Sequence, residues 1–151
     1  MVERTLVLVK PDGVKRHLIG EVIKRIEQKG LKIVGLKMLL LSRQKAELHY
    51  AVHKGKPFYE PLVSFITSGP IVAMVLEGEN AIEVTRKLMG PTFGFEAPPG
   101  TIRGDFSVSK QFNIVHGSDS QKTAEYEIPI FFSENELVSY ETEDEKFFKL
   151  N

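Results

Sequence analysis

Apolar residues recur along the chain in two rhythms. Continuous runs at TLVLV from Thr5, LKIVGLKMLLL from Leu31, PIVAMVLEG from Pro70 and FNIVH from Phe112 have the length and β-branched content of buried strands. Between them the spacing lengthens to a helical period. Ile19, Val22, Ile23 and Ile26 mark one helix, with Gly30 as its stop. Ser42 can cap a second helix through RQKAELHYAVH, and KGKPFYEPLVSFITSG reads as a turn into a short helix with Pro61 in its first turn. Asn80 and Glu83 match a capping box for a helix through Leu88, closed by Gly90. Ser118 with Gln121 predicts one more helix start, and Lys10-Pro11-Asp12-Gly13 a turn.

Two strand, helix, strand passes give the order β-α-β-β-α-β. That order predicts an α+β sandwich in which helices cover one face of an antiparallel four-stranded sheet. The length of 151 residues fits a single domain spanning 1–151, without repeats or linkers. Two stretches escape the pattern. PTFGFEAPPGTIRGDFSVSKQ is long and irregular, and such loops in compact domains are either functional or disordered. The C-terminal SYETEDEKFFKLN turns from acidic to aromatic and reads as a solvated surface tail, with an arm against another subunit as the alternative.

Composition removes several chemistries. The chain has no cysteine, hence no thiolate nucleophile, disulfide or cysteine metal site. No apolar stretch approaches the ~20 residues of a membrane span, and MVERTLVLVKPDG lacks a secretory pattern, so a cytoplasmic location without membrane partners is expected. Twenty basic residues balance twenty acidic ones. A protein devoted to nucleic acid would carry a global positive field, so any phosphate site here must be local.

The four histidines include His116, placed where the last apolar run stops and a helix is about to begin. Alone, such a residue is usually a hydrogen-bonded strand-end histidine. Here Gly117 removes bulk beside the ring, and a following helix N-terminus would favour a phosphoryl group. Ser118, Ser120 and Asp119 are too close in sequence for triad geometry, and the G-x-S-x-G elbow is absent. His49 and His53 have the spacing of a helical metal pair but lack the glutamate of H-E-x-x-H, and read as exposed helix residues. Taken singly, Lys10 reads as a strand-end cation, and Arg86 has Glu83, and Arg103 has Asp105, as local ion-pair candidates. Taken with His116, these cations at element ends form a plausible clamp for a polyphosphate, without the G-x-x-x-x-G-K-[ST] loop.

NIVHGSD, together with KPDGV and PGTIRGDF, resembles the nucleoside diphosphate kinase family over nearly the whole chain and in the right order. The resemblance implies a ferredoxin-like fold and Mg²⁺-dependent transfer of the γ-phosphoryl from a nucleoside triphosphate to His116, then to a nucleoside diphosphate. By the same resemblance Lys10, Tyr50, Arg86, Thr92, Arg103 and Asn113 contact phosphates and ribose, Phe58 stacks on the base, and Leu62 lies beside it. Ser118 and Glu127 hold the histidine ring, and Asp119 touches the metal through water at most. Ribo- and deoxynucleotides of any base are the implied substrates. A homo-oligomer is implied too, a hexamer ahead of a tetramer.

Three positions depart from the family pattern. PTFGFEAPPG lacks the usual Asn or Asp soon after Thr92, Lys110 stands where a valine is common beside the base, and Pro129 interrupts the helix carrying Glu127. A proline there predicts a bend that would shift Glu127. The rival reading is a non-catalytic ferredoxin-like module that binds RNA or a regulatory nucleotide. An RNA-binding sheet of that kind displays aromatics on its strands in the K/R-G-F/Y-G/A-F-V-x-F/Y signature, and no strand here carries it.

Overall fold

The computed structural model describes residues 1–150. Its centre is a sheet of β1 (Val2–Val9), β2 (Lys32–Leu39), β3 (Ile71–Glu79) and β4 (Val115–Gly117), ordered β2-β3-β1-β4. Every neighbouring pair is antiparallel. Side-chain alternation along β1 feeds two cores: Leu6 and Leu8 face one, Val7 and Val9 the other. Because both faces of β1 and β3 are covered, these strands read as continuous apolar runs rather than alternating ones.

The connections β1-to-β2 and β3-to-β4 supply α2 (Ile19–Gln28) and α5 (Ala81–Met89), which pack on the Val7 face through Val22, Ile26, Ala81 and Met89. This is the expected helical layer. The Leu6 face carries a second layer, made of α3 (Arg43–His49) and α4 (Tyr59–Ile66) between β2 and β3, and of α7 (Gln121–Phe131) after β4. Among the described residues no helix is long and apolar enough to cross a membrane.

Several local expectations change. The turn after β1 is a short helix, α1 (Pro11–Lys15), entered by a proline whose missing N–H costs nothing at a first helical position. Asn80 does not cap α5: it sits at φ 48° with no side-chain cap bond, and Glu3 from β1 accepts the Ile82 N–H at 3.3 Å instead. Ser120, not Ser118, caps α7, accepting from Thr123 N at 3.1 Å. The long irregular segment contains α6 (Ile102–Phe106), capped by Thr101. The fourth strand has three residues, because Ile114 adopts φ 73° and breaks the extended run ahead of it.

The C-terminal segment is not a free tail. Val138 N–H donates to Val34 O at 2.8 Å, and Lys32 pairs with Glu145 at 2.6 Å. The Phe148 ring covers Gly30, where a Cβ would come within 2.2 Å of it, so the φ of +83° and the missing side chain are both used. Phe95 and Phe147 remain about three-quarters exposed.

Candidate active site

Leu8 pairs with His116 across the β1–β4 ladder, which puts the histidine at the sheet edge under α7. Packing of α7 against β1 brings Glu127 to it: His116 Nε2 lies 3.0 Å from Glu127 Oε1. Ser118 Oγ donates to that same oxygen at 2.7 Å. Glu127 is buried, which opposes its ionisation, yet the hydrogen bonds from His116 and Ser118 and the two adjacent imidazoles hold its carboxyl below the ordinary range. An ionised carboxylate can only accept, so the neutral form of His116 carries its proton on Nε2 and its lone pair on Nδ1. Pro129 does not spoil this arrangement, since α7 continues to Phe131 and Glu127 reaches the ring.

His49 completes the cluster and corrects the reading of an exposed helix residue. Its side chain is fully buried, packed edge-on to His116 with centroids 4.6 Å apart, and its Nδ1 lies 3.7 Å from Glu127 Oε2. Neither ring nitrogen has a hydrogen-bond partner among the described residues. Burial, reinforced by His116, pushes its pKa down to about 3, so it is neutral. The i, i+3, i+4 spacing of Ala46, His49 and Tyr50 was the available signal: all three share the buried face of α3.

The three predicted cations converge on the backbone around His116. Lys10 Nζ donates to Gln111 O at 3.2 Å and Arg86 to Gly117 O at 3.2 Å. Arg103 donates to Asn113 O at 3.2 Å, Gly90 O at 2.9 Å and Val115 O at 2.6 Å. The alternative local pairs are not formed, because Glu83 pairs with Lys87 and Asp105 with Arg25. Burial lowers the Lys10 pKa to about 8, with Asp12 opposing and Arg103 adding to the shift. Burial and the nearby Arg86 lower that of Arg103 to about 10, again against Asp12.

Asp12 was not singled out by sequence. Its Oδ2 accepts the Ile114 N–H at 2.9 Å and so secures the left-handed Ile114, a conformation that a β-branched residue adopts only under constraint. Ile114 O in turn accepts the Lys10 N–H at 2.8 Å. Asn113 Nδ2 donates to Thr92 O at 3.0 Å, while Asn113 Oδ1 is buried without a partner among the described residues.

The base-side residues lie further out. Phe58 precedes α4, is 46% exposed, and meets His53 edge-on at 5.0 Å. Leu62 is half-buried against the Leu6-face core. Tyr50 is buried beside His49, and burial raises its hydroxyl pKa. Lys110 Nζ sits over the Phe93 ring at 5.1 Å. Asp119 is exposed and lines a shallow recess with Glu3, Glu83 and Arg86. Glu3 accepts the Ile82 N–H and Glu83 pairs with Lys87, so Asp119 is the one carboxylate of the recess without such a partner, and a resident Mg²⁺ cage needs several convergent oxygens.

A partly exposed imidazole held by a buried carboxylate, on a backbone segment gripped by three cations, has the make-up of a phosphotransferase site. The nucleoside diphosphate kinase family model matches residues 3–137. A nucleoside diphosphate kinase of Staphylothermus marinus is 61% identical over 138 residues, covering 91% of this chain and 98% of the relative. That of Archaeoglobus fulgidus is 60% identical over 143 residues, covering 95% of each. Among solved structures, the halophilic nucleoside diphosphate kinase of Halobacterium salinarum in complex with CDP superposes with a TM-score of 0.96 at 48% identity, covering 99% of both chains. A transition-state mimic of the Borrelia burgdorferi enzyme with vanadate and ADP gives 0.92 at 40% identity, covering 97% of this chain and 96% of that one. The chain belongs to the nucleoside diphosphate kinase family.

Proposed function

We propose that this chain transfers the γ-phosphoryl of a nucleoside triphosphate to His116 Nδ1 and then to a nucleoside diphosphate. The observation that carries the reading is the 3.0 Å contact between His116 Nε2 and Glu127, which leaves Nδ1 with the lone pair. In the first half-reaction that pair forms the N–P bond as the bond from the γ-phosphorus to the β,γ-bridging oxygen breaks. The diphosphate departs with the bond's electrons, and the reverse sequence on a second diphosphate regenerates the imidazole. As the ring turns cationic, Glu127 offsets its charge. Lys10, Arg86 and Arg103 offset the phosphoryl oxygens, which is most of what such a transfer asks of a protein. Mg²⁺ enters with the nucleotide as part of the substrate.

Phe58 gives the base a π-face to stack on, a contact every base can make. The vanadate and ADP bound by the Borrelia burgdorferi relative, and the CDP bound by the Halobacterium salinarum one, support this reading. We also propose a homo-oligomer, the hexamer ahead of the tetramer, since Phe95 and Phe147 stay exposed and large exposed aromatics often mark interfaces. Sedimentation as a monomer at micromolar concentration would overturn that part.

Incubation of metal-freed protein with Mg²⁺ and a γ-labelled nucleoside triphosphate should leave an acid-labile, alkali-stable label on His116, with ping-pong initial rates. Stoichiometric labelling of His116→Ala would refute the mechanism.

A further inference from the structure

We infer that His49, His116 and Glu127 also form a site for a borderline-soft divalent transition metal, with Zn²⁺ as the type, and that filling it disarms the nucleophile. The donors come from α3, β4 and α7, and their ligand atoms lie within 4.8 Å of one another. Two imidazoles and a carboxylate with an open fourth position is an established Zn²⁺ donor set. Zn–ligand bonds of about 2.1 Å place tetrahedral neighbours about 3.4 Å apart. His116 Nε2 lies 3.0 Å from one Glu127 oxygen and His49 Nδ1 3.7 Å from the other, so each imidazole is within a few tenths of an ångström of that spacing from the carboxylate.

A second observation points the same way. His49 is wholly buried with both nitrogens unpartnered among the described residues, so a donor with no present use is aimed at Glu127. The Ser118 hydroxyl already holds the Glu127 oxygen, as outer partners do around metal ligands. Hard, strongly hydrated Mg²⁺ has no preference for this nitrogen-rich set, so the metal accompanying the nucleotide does not compete for it.

The consequence rests on the reading of His116 Nδ1 as nucleophile. A metal on Nε2 displaces the proton held there, and the neutral ring takes a proton on Nδ1 through solvent. No net charge is added to the ring, but the lone pair that attacks phosphorus is gone. The site would therefore couple the enzyme to the level of free transition metal.

The test uses chelator-treated full-length protein without nucleotide, titrated with Zn²⁺ by calorimetry and with Co²⁺ by visible absorption. One ion per chain and tetrahedral-intensity Co²⁺ bands are expected. His49→Gln should weaken binding by at least about tenfold, with circular dichroism checking its fold. Glu127→Gln is the second variant should the first fail to fold. Phosphoenzyme formation at free Zn²⁺ set by a metal buffer should fall in step with occupancy. Absence of saturable binding, affinity unchanged in a folded variant, or full labelling of the metal-loaded protein would each overturn the proposal. Failure to label the metal-free protein would instead refute the assignment of His116, and leaves the calorimetry and the Co²⁺ spectrum to decide the site.

Discussion

Replacing Glu127 with glutamine isolates the charge that the carboxylate contributes. The amide oxygen can take the place of Oε1, where Ser118 Oγ at 2.7 Å and His116 Nε2 at 3.0 Å both require an acceptor. The amide nitrogen then faces the His49 Nδ1, 3.7 Å from Oε2, which is neutral and can accept. The His116 tautomer is thus preserved and the negative charge alone is lost. A full charge 3.0 Å away is worth at most about 5.5 kcal/mol at an effective dielectric of about 20. Hydrogen bonds to charged groups contribute about 1.5–3 kcal/mol net, and that gain arises only as the ring becomes cationic. Glu127→Gln should therefore lower kcat/KM by about 10- to 150-fold, with a matching fall in the rate of phosphoenzyme formation by rapid quench. A variant within threefold of the parent would refute the charge argument. Complete loss of phosphoenzyme in a folded variant would show that the carboxylate does more than orient and offset.

The alkaline limb belongs to Lys10. Its pKa of about 8 means that the folded chain loses this cation as pH rises through about 8, so kcat/KM should fall there. Lys10→Arg should keep its charge and lack that limb. Lys10→Met should remove one of the three phosphate-neutralising cations and lower kcat/KM, yet raise stability by about 1–2 kcal/mol, because it removes a buried cation. At roughly 2–4 °C per kcal/mol for a chain of this size, calorimetry would see an increase of a few degrees in Tm. Phe58→Ala should weaken purine and pyrimidine donors by similar factors, and the parent should use all of them within about a hundredfold; a deficit confined to one base would mean that base edges are read. Gly30→Ala meets Phe148 and a φ of +83°, so it should expel the C-terminal segment, cost about 1–3 kcal/mol and speed proteolysis there. An unchanged cleavage rate would contradict the docking.

The strands were legible because burial on both sides leaves an unbroken apolar run, and the α2 and α5 layer because its period is local. Ser42 was legible as a cap for the same reason: it accepts from Lys45, three residues on. Asn80 misled because the donor it should have met is satisfied by Glu3, 79 residues from Ile82. Spacing alone could not join Glu127 to His116. Their contact depends on how α7 lies on β1, a tertiary fact that reached the sequence reading through family resemblance. The long segment before β4 looked irregular since α6 is only five residues long, too short to show a period. His49 was misplaced because a polar residue type outweighed its position on a buried face.

The partners of the three cations explain why the site is suited to phosphate rather than merely basic. Had Arg86 paired with Glu83 and Arg103 with Asp105, as their sequence spacing allows, their charges would be cancelled before any ligand arrived. Instead Glu83 and Asp105 are taken by Lys87 and Arg25. Lys10, Arg86 and Arg103 are fixed by carbonyls of the backbone between Gln111 and Gly117, along with Gly90. A carbonyl orients a cation without neutralising it. The lowered pKa values of Lys10 and Arg103 measure the resulting cost of burying charge, with Asp12 as the one carboxylate that opposes it at both. On the proposed function an incoming polyphosphate would relieve that cost, and binding energy would be directed at the oxygens of the moving group. The same carbonyl contacts hold the segment that bears His116, whose bend at Ile114 is pinned by Asp12. Positioning of the nucleophile and readiness for the anion therefore come from one set of bonds, and disturbing any of the three cations should displace His116 as well as weaken its substrate.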